Sequence, residues 1–101
     1  MILYNVTIKV HISIQQDWIK WLKEEHVKDI LATECFTHYK VLQLLEIDNS
    51  EGPTYAIQYF AESKALYNRY IEKYAEKMRT KSYEKWGDKF IAFRSVMQIV
   101  D

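Results

Sequence analysis

Met1-Ile2-Leu3-Tyr4-Asn5-Val6-Thr7-Ile8-Lys9-Val10 opens the chain and decides how the rest is read. Taken by twos, Ile2, Tyr4, Val6, Ile8 and Val10 point one way, and Leu3, Asn5, Thr7 and Lys9 point the other. Alternation of period two in β-branched and aromatic residues marks a strand with one buried face. A strand placed first with such an apolar face is expected at the centre of a sheet, with later segments packed around it.

Those segments follow in order. Ser13 and Gln16 have the spacing of a capping box, which predicts a helix start there. Trp18, Trp21 and Leu22 form an apolar stripe, with Lys20, Lys23 and Glu24 outside. The apolar set resumes at Val27, Ile30 and Leu31, which predicts a second short helical turn at an angle to the first. Phe36 to Asp48 reads as a long strand, Asn49-Ser50-Glu51-Gly52-Pro53 as a turn, and Thr54 to Ala61 as the returning strand of a hairpin. Ser63 then caps one unbroken helix running to Trp86, with Leu66, Tyr67, Tyr70, Ile71, Tyr74, Ala75 and Met78 on its apolar side and Gly87 as its stop. Lys89 to Val100 is the last strand. Its two sides are both partly apolar. Ile91, Phe93, Met97 and Ile99 are assigned to the helix side, and Phe90, Ala92, Arg94, Val96 and Gln98 to the open side.

The order β-α-β-β-α-β with a hairpin in the middle is the split βαβ, or ferredoxin-like, plan of the α+β class. It predicts one four-stranded antiparallel sheet, strand order 4-1-3-2, with two helices on one face. No linker or repeat divides residues 1–101, so a single domain is expected.

Composition narrows the function classes. Fourteen basic residues balance fourteen acidic ones, which argues against nucleic acid or a membrane surface as partner, since both select basic proteins. One cysteine, Cys35, permits no internal disulfide, and no signal-peptide pattern leads the chain, so a cytoplasmic address is expected. Two glycines are too few for a phosphate-cradling loop. His11, His26 and His38 have no metal-ligand spacing, and no metal or cofactor is expected. RNA recognition on such a sheet needs aromatic residues on the open face of the central strands, where this chain has Asn5 and Thr7.

The expected open face mixes Leu42, Leu44, Phe60 and Val96 with polar groups. An apolar patch of that kind points to an interface, so a homodimer formed through the open sheet face is expected, a dimeric α+β barrel, with a small-molecule ligand in a cleft lined by Asn5, His38, Gln58 and Arg94. Each of these has a plainer reading. Arg94 could grip a carboxylate or phosphate, or pair with Glu46 or with an acid of the partner subunit. His38 could join Asn5 and Gln58 in a polar constellation, or be a solvated strand histidine. Cys35 and His38 lie three apart, but a buried structural cysteine is the plainer reading than a nucleophile. Trp18 and Trp21 could stack a flat ligand, or pack in the core.

The opening Met1-Ile2-Leu3-Tyr4-Asn5-Val6-Thr7, the Trp18…Trp21-Leu22-Lys23-Glu24-Glu25-His26 segment and the closing Phe90-Ile91-Ala92-Phe93-Arg94-Ser95-Val96-Met97 resemble the small bacterial proteins grouped as domain of unknown function 4286. The resemblance covers nearly the whole chain. It implies a small intracellular bacterial protein of ferredoxin-like fold and brings no activity or functional residue with it. Two function classes follow. One is a non-enzymatic homodimeric binding module. The other is a small dimeric enzyme, monooxygenase-like by analogy of fold, with Arg94 anchoring a flat or aromatic anion and His38 as acid/base.

Overall fold

The computed structural model describes residues 1–101. Its elements are β1 (Ile2–Val10), α1 (Gln15–Trp21), a π-helical turn (Leu22–His26), α2 (Val27–Leu31), β2 (His38–Gln43), β3 (Thr54–Ala61), α3 (Lys64–Lys73), α4 (Ala75–Trp86) and β4 (Phe90–Gln98). The four strands form one antiparallel sheet in the order β2-β3-β1-β4, which is the expected 4-1-3-2 order read from the other edge. β1 is central, as its alternation requires.

All helices lie on one side of the sheet. Tyr4, Ile8 and Val10 of β1 and Tyr55, Ile57, Tyr59 and Ala61 of β3 pack there against Trp18, Leu22, Val27, Ile30, Tyr70, Ala75 and Met78. Tyrosine rings dominate the contact: Tyr4 lies within 6.1 Å of both Phe36 and Tyr59 and 5.8 Å from Tyr70. The molecule is 19 Å through its thinnest direction, which one sheet and one helix layer account for at about 10 Å each. The far face of the sheet therefore has no cover from this chain. No helix is long and apolar enough to cross a membrane.

Several local expectations are corrected. The Ser13–Gln16 capping box does not form. Ser13 Oγ instead meets His11 Nδ1 at 2.7 Å, and α1 starts from Ile14 without a side-chain cap. Ser63 does cap α3, accepting from the Leu66 amide at 3.2 Å. The long second helix is two helices, because Tyr74 leaves helical geometry at φ −127°. β2 stops at Gln43, well short of Asp48. Glu46 beyond it adopts φ +59°, a left-handed conformation that cannot continue a strand. The turn before β3 is tied to the end of β1: Val10 N donates to the Pro53 carbonyl at 3.0 Å and Ile12 N to that of Glu51 at 2.9 Å.

Candidate functional site

Register decides which side chains share a face, because directly opposite residues in paired strands point the same way. On the open face, Ser95, Asn5, Gln58 and Lys40 form one row across the four strands. Met97, Leu3, Phe60 and His38 form the row to one side, and Phe93, Thr7, Ala56 and Leu42 the row to the other. The structure thus joins two of the four expected site residues. Gln58 Nε2 donates to Asn5 Oδ1 at 3.5 Å, and Asn5 Nδ2 donates to Thr7 Oγ1 at 2.9 Å. Asn5 is only 8% exposed, so its amide is satisfied within the sheet itself.

His38 does not join them. Its ring lies flat on Phe60, centroids 4.2 Å apart and planes within 4°. Its Nδ1 is 2.7 Å from Thr37 Oγ1, and the Thr37 hydroxyl in turn donates to the Phe60 carbonyl. Cys35 is buried, with its thiol 3.7 Å from the Thr33 carbonyl, so Cys35 and His38 make no pair.

Arg94 is the larger correction. It stands opposite Val6, as Ala92 stands opposite Ile8 and Val96 opposite Tyr4. Arg94 is therefore on the helix side of the sheet, away from Asn5, Gln58 and His38. The expected phase of β4 is inverted: Ile91, Phe93 and Met97 face the open side. Both sides of this strand are apolar in sequence, so hydrophobicity could not set its phase, and pairing with β1 does. Arg94 makes no ion pair with Glu46. The ion pairs present are Lys9–Glu51 and Lys81–Asp29. Arg94 and His38 lie on opposite faces and opposite edge strands, so they cannot act on one substrate as anchor and acid/base.

Under the helices, Arg94 borders a cavity of about 50 Å³ that opens to solvent. Its floor is apolar and buried: Tyr4, Ile8, Trp18, Leu22, Ile57, Tyr59, Tyr70 and Met78. Arg79 and Arg94 are the exposed members of its wall, and Ser82 and His26 lie between the extremes. Arg79 Nη2 donates to the Tyr4 hydroxyl at 3.4 Å.

His26 reaches this cavity because of the π-helical turn. The Val27 amide bonds to the Leu22 carbonyl, five residues back. In an α-helix, residues five apart are rotated by about 140°. A π turn brings them to the same side. Trp21 and His26 consequently stack, centroids 4.6 Å apart at 22°, and Leu22 and Val27 are both buried. His26 Nδ1 is buried with no hydrogen-bond partner. Burial lowers its pKa to about 4, and the positive charges of Lys81 and Arg94 push the same way against Asp29. The imidazole is neutral at pH 7. Burial also raises the pKa of the Tyr70 hydroxyl and holds it protonated.

Sequence reasoning missed His26, Arg79 and Ser82. One trace of the first was present: the apolar stripe skips from Leu22 to Val27, a five-residue step that no regular helix makes. Trp18 packs on Tyr55 at 5.5 Å, a core role, and also lines the cavity.

A family model described as Domain of unknown function (DUF4286) matches residues 1–100. The chain belongs to this family. Membership in DUF4286 agrees with the resemblance carried by its opening strand, first helix and closing strand. No curated protein matches the chain. Among solved structures, this DUF4286 chain is similar to a protein of Arabidopsis thaliana, at 16% identity and TM-score 0.69, covering 100% of this chain and 99% of that one. It is similar to a dimeric ferredoxin-like protein from an uncultured marine organism, at 10% identity and TM-score 0.72, covering 99% and 96%. It is also similar to a member of the ethyl tert-butyl ether D family from Bacillus halodurans, at 9% identity and TM-score 0.67, covering 99% and 100%. These likenesses establish the ferredoxin-like fold.

Proposed function

We propose that this chain is a homodimeric binding module of the bacterial cytoplasm, assembled by stacking the open sheet faces of two copies. The observation that supports this most directly is the apolar side of β4. Ile91 is 61% exposed, Phe93 71% and Met97 44%, and Leu42 of β2 joins them on the same face. A solvated antiparallel face is normally polar, and large apolar side chains exposed on both sides of its polar middle row mark a contact surface. Two such sheets pack about 10 Å apart with interdigitating side chains. The marine neighbour with the same fold is itself dimeric.

The row of Ser95, Asn5, Gln58 and Lys40 crosses the middle of this face. Asn5 already accepts from Gln58 and donates to Thr7, so stacking leaves few of its groups unsatisfied. In this reading the row sets the register of the two sheets, and a ligand between them would meet Gln58 and Lys40 first.

Light scattering on a sizing column tests the assembly. The expected mass is twice the 12.2 kDa of the chain, and Phe93→Asp is expected to halve it. A parent protein that runs as a monomer at every concentration would overturn the reading.

A further inference from the structure

The cavity under the helices is separate from the dimer face and is built from one chain alone. Three of its features point to a ligand. First, Arg79 and Arg94 stand at its exposed edge, and neither has a carboxylate within ion-pairing distance. Guanidinium groups are strong, directional partners for planar anions, and two unpaired ones beside one opening make a positive mouth, since Asp29, whose charge His26 feels, is paired with Lys81. Second, the floor is apolar and buried. Third, His26 lines the same space and its Nδ1 is buried without a partner. An unpaired buried polar atom is uncommon in a folded protein and invites an explanation.

Size narrows the choice. A water needs roughly 10–15 Å³ of such space. A cavity of about 50 Å³ therefore has room for only a few non-hydrogen atoms beyond the mouth, as a short chain would present. The combination of positive mouth, apolar floor and small depth fits an amphipathic monoanion better than inorganic phosphate, which has nothing to offer the floor.

We propose that this cavity binds a small aliphatic monocarboxylate, with its carboxylate held by Arg79 and Arg94, its chain against Tyr4 and Ile57, and His26 supplying a further hydrogen bond. The π turn is what makes the third contact available, since it places His26 and Trp21 on the same side of the helical segment. Trp21 then holds the imidazole plane by stacking.

Trp18 and Trp21 line the cavity, so intrinsic fluorescence of the full chain reports on it. The probes are butyrate, its neutral isostere butyramide, acetate and inorganic phosphate, titrated at constant ionic strength. Butyrate is expected to give a saturable change. Butyramide, acetate and phosphate are expected to bind at least about tenfold more weakly, since each lacks either the charge or the chain. Arg79→Gln and Arg94→Gln are each expected to raise the butyrate Kd about tenfold, and Lys73→Gln, exposed at the end of α3 and away from both faces in question, to leave it unchanged. Phe93→Asp is expected to bind as the parent does, so failure of the dimer leaves this site standing. The proposal is overturned if butyrate gives no saturable change, if butyramide or phosphate binds as tightly, or if both arginine variants bind like the parent. Should either variant fail to fold, the comparison of butyrate with butyramide on the parent protein decides alone.

Discussion

β3 and β4 flank the same central strand, both antiparallel to it, yet they behave as opposites. Along β3, Tyr55, Ile57, Tyr59 and Ala61 are buried and every second residue is half-exposed. Along β4, only Phe90 and Ala92 are even half-buried, and the rest of the strand is exposed on both faces. β3 sits between two strands and beneath the helices. β4 is an edge, and its second half runs out from under the helix layer. Position in the sheet, not amphipathicity, makes the difference: β4 is as apolar as β3. An edge strand with uncovered apolar side chains needs a partner or another form of protection, and that is where the proposed dimer places its contact.

The comparison can be broken most severely at Tyr59. This ring is buried against Tyr4 and Phe36, and Tyr59→Ala is expected to cost about 3–5 kcal/mol in urea unfolding. Gly52→Ala attacks the entry to β3. Gly52 has φ +140°, and an added Cβ would lie 1.8 Å from the Val10 carbonyl oxygen. A backbone clash of that kind is expected to cost about 3 kcal/mol or more, read as a lowered denaturation midpoint.

Acid tests the cavity beside β4. The pKa of His26 falls from 6.5 in the unfolded chain to about 4 in the fold. Between those values the unfolded chain binds a proton that the fold does not. The stabilisation from keeping this ring neutral is therefore whole above pH 6.5 and is lost as pH falls toward 4, by about 3 kcal/mol at most. A His26→Phe protein should lose this part of the pH slope, measured by unfolding at a series of pH values. The smallest effect is expected at Phe93. In dilute monomer, Phe93→Ala should change stability by less than about 0.5 kcal/mol, although the same ring lies in the contact of the proposed dimer. A large loss in the monomer would erase the contrast between the two strands.

Much of the fold was legible. The alternation of β1, the Gly-Pro turn and the Ser63 cap each reflect local chemistry that the structure repeats, and strand order follows from them. The phase of β4 was not legible, because apolar residues stand on both sides of it and only long-range pairing with β1 chooses between them. The break at Tyr74 has no glycine or proline to announce it. In the candidate site, Asn5 and Gln58 were legible because both lie mid-strand on faces of clear alternation. Arg94 followed β4 to the wrong side, and His38 was placed on the right face but proved to be a stacking partner for Phe60. His26 was hidden because a helical wheel drawn at 3.6 residues per turn carries no π turn.

That π turn also has an evolutionary reading. It is one residue more than a regular helix would need between Trp21 and Val27. Removing one of Lys23, Glu24 or Glu25 would leave a regular α-helix in which the histidine stands four residues after Trp21, still on the same side of it. The length of this short segment is therefore a marker. Relatives one residue shorter should share the sheet and the core and make their Trp–His pair at a spacing of four in a regular helix, while relatives of this length need the π turn to make it.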